Sequence, residues 1–126
     1  MNSWVTFTCV LVAGGLGAVI RYALQRAVPE KGRGIPRAVL IVNMFGSLLA
    51  GATAGMMADG KLDAAIGAII ITGLCGGLTT FSTFAVETME LFRVDAWQSA
   101  YLNIVISIFG GIGLAVVGFI LTRAVL

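Results

Sequence analysis

The sequence has no histidine, two cysteines, two prolines, and only eight basic and six acidic residues in 126. Without histidine, the usual physiological proton shuttle and the commonest metal ligand are both missing. Cys9 and Cys75 lie far apart in apolar runs, so they build neither a disulfide framework nor a metal-ligand pair and read as small buried thiols. A formal net charge of +2 is too small to imply a nucleic-acid partner. No nucleophile–base pair, metal cluster or phosphate-cradling loop can be assembled, and "GGLGAV" inside an apolar span is not a dinucleotide motif. These absences argue against an enzyme.

What is present is apolar. Hydrophobic residues make up 59% of the chain and the mean hydropathy is +1.02. A single domain of this size has no interior large enough to hide that much apolar surface from water, so the bilayer is its natural solvent. Four segments approach the ~20 residues that a helix needs to cross the hydrocarbon. They run over about residues 4–28, 36–58, 63–93 and 96–123, within one transmembrane domain spanning residues 1–126. The expected fold class is an all-α membrane protein with four transmembrane helices. Pro36 suits a first helical turn, Asp63 a cap of the third span and Asp95 a cap of the fourth. The first run lacks a basic leader and extends beyond a signal-peptide core, which predicts a permanent span. With four spans, both termini lie on one side. Arg26, Lys31, Arg33, Arg37 and Arg93 flank the first and third connections, against Lys61 and Arg123 opposite, which favours termini outside the cytoplasm.

Glycine, at 17 residues, falls mostly inside the spans. Small residues four apart, such as Gly51 and Gly55, let helix backbones approach closely in lipid. So much small-residue surface in a bundle of four helices also suggests a second copy as partner.

The polar groups inside the spans carry the functional signal. Arg21 lies inside the end of the first span, where it either snorkels to the interface or draws an anion toward a vestibule. Asn43, with Ser47 one turn away on the same face, must meet protein or water, since a lone amide in lipid is costly. It either ties helices together or donates hydrogen bonds to a permeating anion. In the fourth span Asn103, Ser107, Gly111 and Ala115 recur at spacing four, a stripe that starts polar and turns small. The third span contains "GLCGGLTTFSTF". Gly76 and Gly77 free the backbone at mid-span, and Thr79 or Thr80 can cap a new half-helix, so this helix is expected to break at its middle. A break strands carbonyls and amides, which the bilayer tolerates only where protein, water or an ion satisfies them. Carbonyls exposed there are ligands for a small cation. Phe81 and Phe84, three apart, share a face and can offer positive ring edges to an anion.

The segments "GGLGAVIRY", "VNMFGSLLAG" and "TGLCGGLTTFSTFAVE" resemble those of the Fluc/CrcB family of small fluoride channels, and the resemblance runs along nearly the whole chain. It implies a passive, fluoride-selective channel of the cell inner membrane that exports fluoride and lowers its cytoplasmic concentration. It also implies an antiparallel, dual-topology dimer with two pores, in which the broken third helices cross around a structural sodium ion (Na+). The sodium ligands would be the backbone carbonyls of Gly76 and Thr79 from each subunit. Phe81 and Phe84 would line the pores beside the hydroxyls of Thr80, Ser82 and Thr83. Asn43 would be the conducting-path amide, Arg21 the vestibule arginine, and Asn103 and Ser107 the start of a polar track. The track's later hydroxyl positions fall on Gly111 and Ala115 here, and Ala38-Val39 stands where Gly-Thr is common. The partners implied are fluoride, membrane lipid and a second copy; the charge bias keeps open a heterodimer of two paralogues with fixed orientations. A small multidrug-type transporter shares the size and span number, but proton-coupled export needs an intramembrane carboxylate and the acids here lie at helix ends. A non-conducting assembly subunit is the third reading.

Overall fold

A bilayer cannot hydrogen-bond a backbone, so each crossing must satisfy its own amides, and helices do so. The computed structural model describes residues 2–29 and 32–125, and these form helices and connections without a strand. Lys31, counted above among the basic flank, lies outside them. Helix α1 (Ser3–Ala27) starts where the Asn2 side chain accepts from the Trp4 amide, and it ends as Val28 turns extended ahead of Pro29. Helix α2 (Arg37–Ala58) follows. Pro36 is not inside its first turn but is the extended residue just before it. Gly60, at φ +68°, closes α2, while the Lys61 amide returns to the Met56 carbonyl at 2.9 Å.

The third crossing, Ala64–Arg93, is broken. Its first half comprises α3 (Ala64–Ala68), a π-helical stretch Ile69–Cys75, and α4 (Gly76–Leu78). Asp63 caps it as the sequence suggests, its carboxylate accepting from the Ala65 amide at 2.9 Å. Thr79 and Thr80 are extended, and α5 (Phe81–Arg93) then resumes. The fourth crossing is α6 (Trp97–Val105), a second π-helical stretch Ile106–Gly110, and α7 (Gly111–Val125). Asp95 does not cap it. Asp95 instead takes the left-handed conformation at φ +57°, which short polar side chains tolerate, and its carboxylate accepts from the Trp97 indole at 3.4 Å.

Glycine decides the packing. A Cβ at Gly51 would run into the Ala115 carbonyl, one at Gly118 into the Leu48 carbonyl, and one at Gly55 would sit 2.8 Å from the Phe119 carbonyl, so α2 and α7 touch backbone to backbone. The first half of the third crossing docks on α1 the same way. A Cβ at Gly73 would lie 2.8 Å from the Val10 carbonyl, and one at Gly77 would strike Gly14. These small residues are therefore filled from within the chain. Those left open are Gly15 and Gly113, with nothing within 4 Å, and Gly76, whose only neighbour is its own helix's Ile71 carbonyl. At one end, Ser99 donates to the Arg33 carbonyl at 2.6 Å; at the other, Arg123 pairs with Asp59 at 2.7 Å. Much of the outer surface is large and apolar, including Trp4, Phe7, Phe45, Phe109 and Ile120, as lipid requires. The four helices are long and apolar enough to cross a membrane.

Candidate functional site

The break in the third helix is built from paired replacements of its lost hydrogen bonds. In an unbroken helix the Thr80 amide would donate to the Gly76 carbonyl. Here it donates to Asn43 Oδ1 at 2.8 Å, while Asn43 Nδ2 donates to the Thr80 carbonyl at 3.0 Å. One side chain of α2 thus clamps both backbone groups of the residue at the break. The Thr83 amide would serve the Thr79 carbonyl and instead donates to Thr80 Oγ1 at 3.2 Å, which makes Thr80 the cap of α5. Ser82 and Thr83 gather their hydroxyls on the same oxygen at 3.3 and 3.1 Å. Gly76 and Thr79 consequently keep carbonyls stripped of their helical donors. The chain stays helical through Gly76 and Gly77, so the extended residues are Thr79 and Thr80; Gly77 serves close approach to α1 at Gly14, while Gly76 faces no other helix of the chain.

Arg21 is tied to the end of the first half-helix. It is half-buried, and its Nε donates to the Gly77 carbonyl at 3.2 Å. A guanidinium at the C-terminal end of a helix meets carbonyls whose donors have run out, and the end's partial negative charge favours a cation.

Next to the break lies a cavity of about 280 Å³ lined by Asn43, Ser47, Thr79, Thr80, Phe81, Phe84, Ser107 and Ile108. Phe81 and Phe84 stand on its wall with ring centroids 5.7 Å apart and planes tilted by 47°, and the Phe81 ring is largely exposed. The cavity therefore gathers five of the nine side chains expected on a fluoride path: Asn43, Thr80, Phe81, Phe84 and Ser107. Ser82 and Thr83 support Thr80 from behind, and Arg21 stands at the helix end. Asn103 departs from the stripe. It is buried and donates to Thr88 Oγ1 at 2.9 Å, tying α6 to α5. The π-helical stretch Ile106–Gly110 follows Asn103 and changes the angular step along the fourth crossing; Asn103 faces α5, whereas the three stripe positions after it face α2. Ser107 faces the cavity, Gly111 faces Ser47, and Ala115 packs on Gly51.

Three contributors stand outside the sequence-derived set. Ser47 lines the cavity, and its signal was the spacing of four from Asn43. Thr88 receives Asn103 and has the same spacing from Phe84, whose carbonyl it bonds at 2.7 Å. Glu87 lies deeper than a helix end: it is half-buried and borders a cleft of about 240 Å³ with Gly32, Gly34, Pro36 and Glu90. Among the described residues, no group of three or more cysteine, aspartate or glutamate side chains could hold a metal.

Comparison with known proteins agrees with this architecture. Residues 8–119 match the family described as CrcB-like protein, Camphor Resistance (CrcB). A protein of Thermobifida fusca named "Fluoride-specific ion channel FluC 1" is 43% identical over 114 residues, covering 88% of this chain and 92% of the relative. "Fluoride-specific ion channel FluC" of Pyrococcus furiosus is 41% identical over 116 residues, covering 90% and 93%. The protein of that name from Methanococcus maripaludis is 37% identical over 107 residues, covering 85% and 87%. With four membrane-length helices, a capped break in the third and a family match over most of its length, the chain belongs to the CrcB family.

Proposed function

We propose that this chain is the subunit of a passive fluoride channel, the activity for which its relatives are named. The observation that carries the reading is the cavity at the break, where two phenylalanines, an amide and serine hydroxyls meet inside a membrane-spanning bundle. Fluoride is small and tightly hydrated, so it leaves water only where close donors replace its shell. Neutral donors and ring edges do this without a fixed cation that would hold the ion. The chemistry is transport without catalysis, and nothing in the site couples flux to energy. The path runs along Phe81 and Phe84, past Asn43, Thr80 and Ser107, with Ser82 and Thr83 bracing Thr80. Asn103 holds α6 against α5, and Arg21 holds the end of the first half-helix.

The functional unit is an antiparallel dimer in the cell inner membrane, with two pores. What supports this is the open face at Gly76 and the exposed Phe81, which a two-fold mate carrying the same break would cover. A structural sodium ion fits between the two breaks. The Gly76 and Thr79 carbonyls of each subunit, deprived of helical donors, are neutral hard oxygens with no acidic side chain beside them, which suits a monovalent cation. Bound there, it supplies the positive charge that holds the two breaks together. A heterodimer of paralogues is the second reading, favoured by relatives numbered "FluC 1" and "FluC 2" and by the uneven basic flanks.

Fluoride efflux from liposomes containing only this purified chain tests the reading. Expected is rapid fluoride release with little chloride release, lost after prolonged sodium depletion. Equal release of chloride and fluoride would overturn the channel reading; no release at all would overturn the homodimer and direct the search to a paralogue.

A further inference from the structure

Threonine hydroxyls within these spans are mostly occupied by their own helices. Thr8, Thr53 and Thr88 each donate to the carbonyl four residues back, at 2.9, 2.8 and 2.7 Å. The cavity at the break is different. Of its five polar side chains, Thr79 donates to the Cys75 carbonyl at 2.9 Å, Thr80 caps α5, and Asn43 clamps Thr80. Ser47 and Ser107 line the same cavity, and their hydroxyls have no partner among the described residues. Ser107 already belongs to the path proposed above. Ser47 has no role there.

Its position is specific. Ser47 stands one helical turn beyond Asn43 on α2 and points at Gly111 at the head of α7: a Cβ on Gly111 would come within 3.4 Å of Ser47 Oγ. Gly111 brings no side chain, and on its neighbour Gly110 a Cβ would meet the Met44 sulfur at 3.0 Å. At this level the fourth crossing offers an ion no side-chain donor, and the nearest hydroxyl is that of Ser47. The second N–H of Asn43, the Ser107 hydroxyl and the Ser47 hydroxyl are then the uncommitted donors of the cavity wall.

We propose that Ser47 donates a hydrogen bond to the permeating fluoride, supplying from α2 the hydroxyl that the fourth crossing lacks at Gly111. The inference rests on the channel reading and adds a specificity-determining residue to it. A dehydrated anion passing Gly111 meets apolar Met44 on one side and the Ser47 O–H on the other, so the hydroxyl replaces one of its waters. Chloride, larger and less tightly hydrated, gains less from the same donor.

The test is fluoride efflux from liposomes with the purified full-length chain, with assembly checked by size-exclusion chromatography. Ser47→Ala is expected to slow fluoride release about tenfold to a hundredfold, the range for losing one hydrogen bond to a charged group. The double variant Ser47→Ala with Gly111→Ser returns a hydroxyl from the opposite wall, into space that the lost Oγ vacates, and is expected to recover to within a few-fold of wild type. Should Ser47→Ala fail to assemble, Ser47→Cys keeps the bulk with a weak donor and is expected to be slow as well. Wild-type fluoride release in the assembled serine variant, or a slow double variant, would overturn the donor role. A wild-type chain that releases no fluoride would overturn this inference together with the channel reading, whereas normal wild-type flux with an unaffected Ser47→Ala overturns the inference alone.

Discussion

Replacing Asn43 by leucine keeps the side-chain volume and removes the clamp on the broken helix. Two hydrogen bonds disappear, at 2.8 and 3.0 Å, and they leave the amide and the carbonyl of Thr80 without protein partners. Leaving a buried backbone group unpaired costs about 1–3 kcal/mol, which sets a ceiling of roughly 6 kcal/mol for the pair. Side-chain hydrogen bonds in membranes average nearer 0.6 kcal/mol, because the unfolded state in lipid also finds partners. Thr80 borders a cavity that water can enter, so part of the loss is recovered, and a net cost of about 1–3 kcal/mol is expected. Asn103→Leu is the control. It removes one bond, at 2.9 Å, and leaves Thr88 still bonded to the Phe84 carbonyl, so about 1 kcal/mol is expected. Reversible unfolding in mixed detergent micelles measures both, and liposome efflux measures the consequence. Asn43→Leu should lose most fluoride flux, since the clamp holds the cavity wall, while Asn103→Leu should keep it. An Asn43→Leu protein as stable as wild type, or one with unchanged flux, would refute the reasoning.

Gly51→Ala drives a Cβ into the Ala115 backbone, whose carbonyl carbon and Cα would lie at 2.7 and 2.8 Å. It should cost upwards of about 1–3 kcal/mol and lower the yield of folded protein, whereas Gly113→Ala, with nothing within 4 Å, should be silent; equal unfolding midpoints would contradict this. Phe81→Ile and Phe84→Ile keep apolar bulk but remove the ring edge, so each should slow fluoride release strongly while assembly persists, and wild-type rates in both would reduce the rings to packing. Arg21→Met removes the charged donor to the Gly77 carbonyl and is expected to destabilise the fold by about 1.5–3 kcal/mol, read in the same unfolding assay; unchanged stability would return Arg21 to a surface role.

Much of this protein can be read locally. Hydropathy and length determine four crossings, because the bilayer core has one thickness and accepts few charges. The Asp63 cap and the capping threonine at the break follow from side-chain oxygens adjacent in sequence to the amides they satisfy. The spacing of three between Phe81 and Phe84 puts their rings together for the same reason. Pairings between distant residues are not written in any local pattern. That Asn43 meets Thr80 across 37 residues, and Arg21 meets Gly77 across 56, depends on how the helices pack. Periodicity offered Asn43 a helix tie or an anion donor; the fold shows the tie, with one N–H committed to the Thr80 carbonyl. The stripe from Asn103 to Ala115 assumed a regular helix; a π-helical stretch interrupts it, and Asn103 bonds to α5 while Ser107, Gly111 and Ala115 lie along α2. Small-residue spacing showed that backbones would approach, and only the fold decided that Gly51 and Gly55 are met by this chain's own α7 while Gly76 stays open. The reason is physical: hydration and propensity act on neighbours along the chain, whereas in lipid the choice of partner is made by close packing, which exists only once the helices have met.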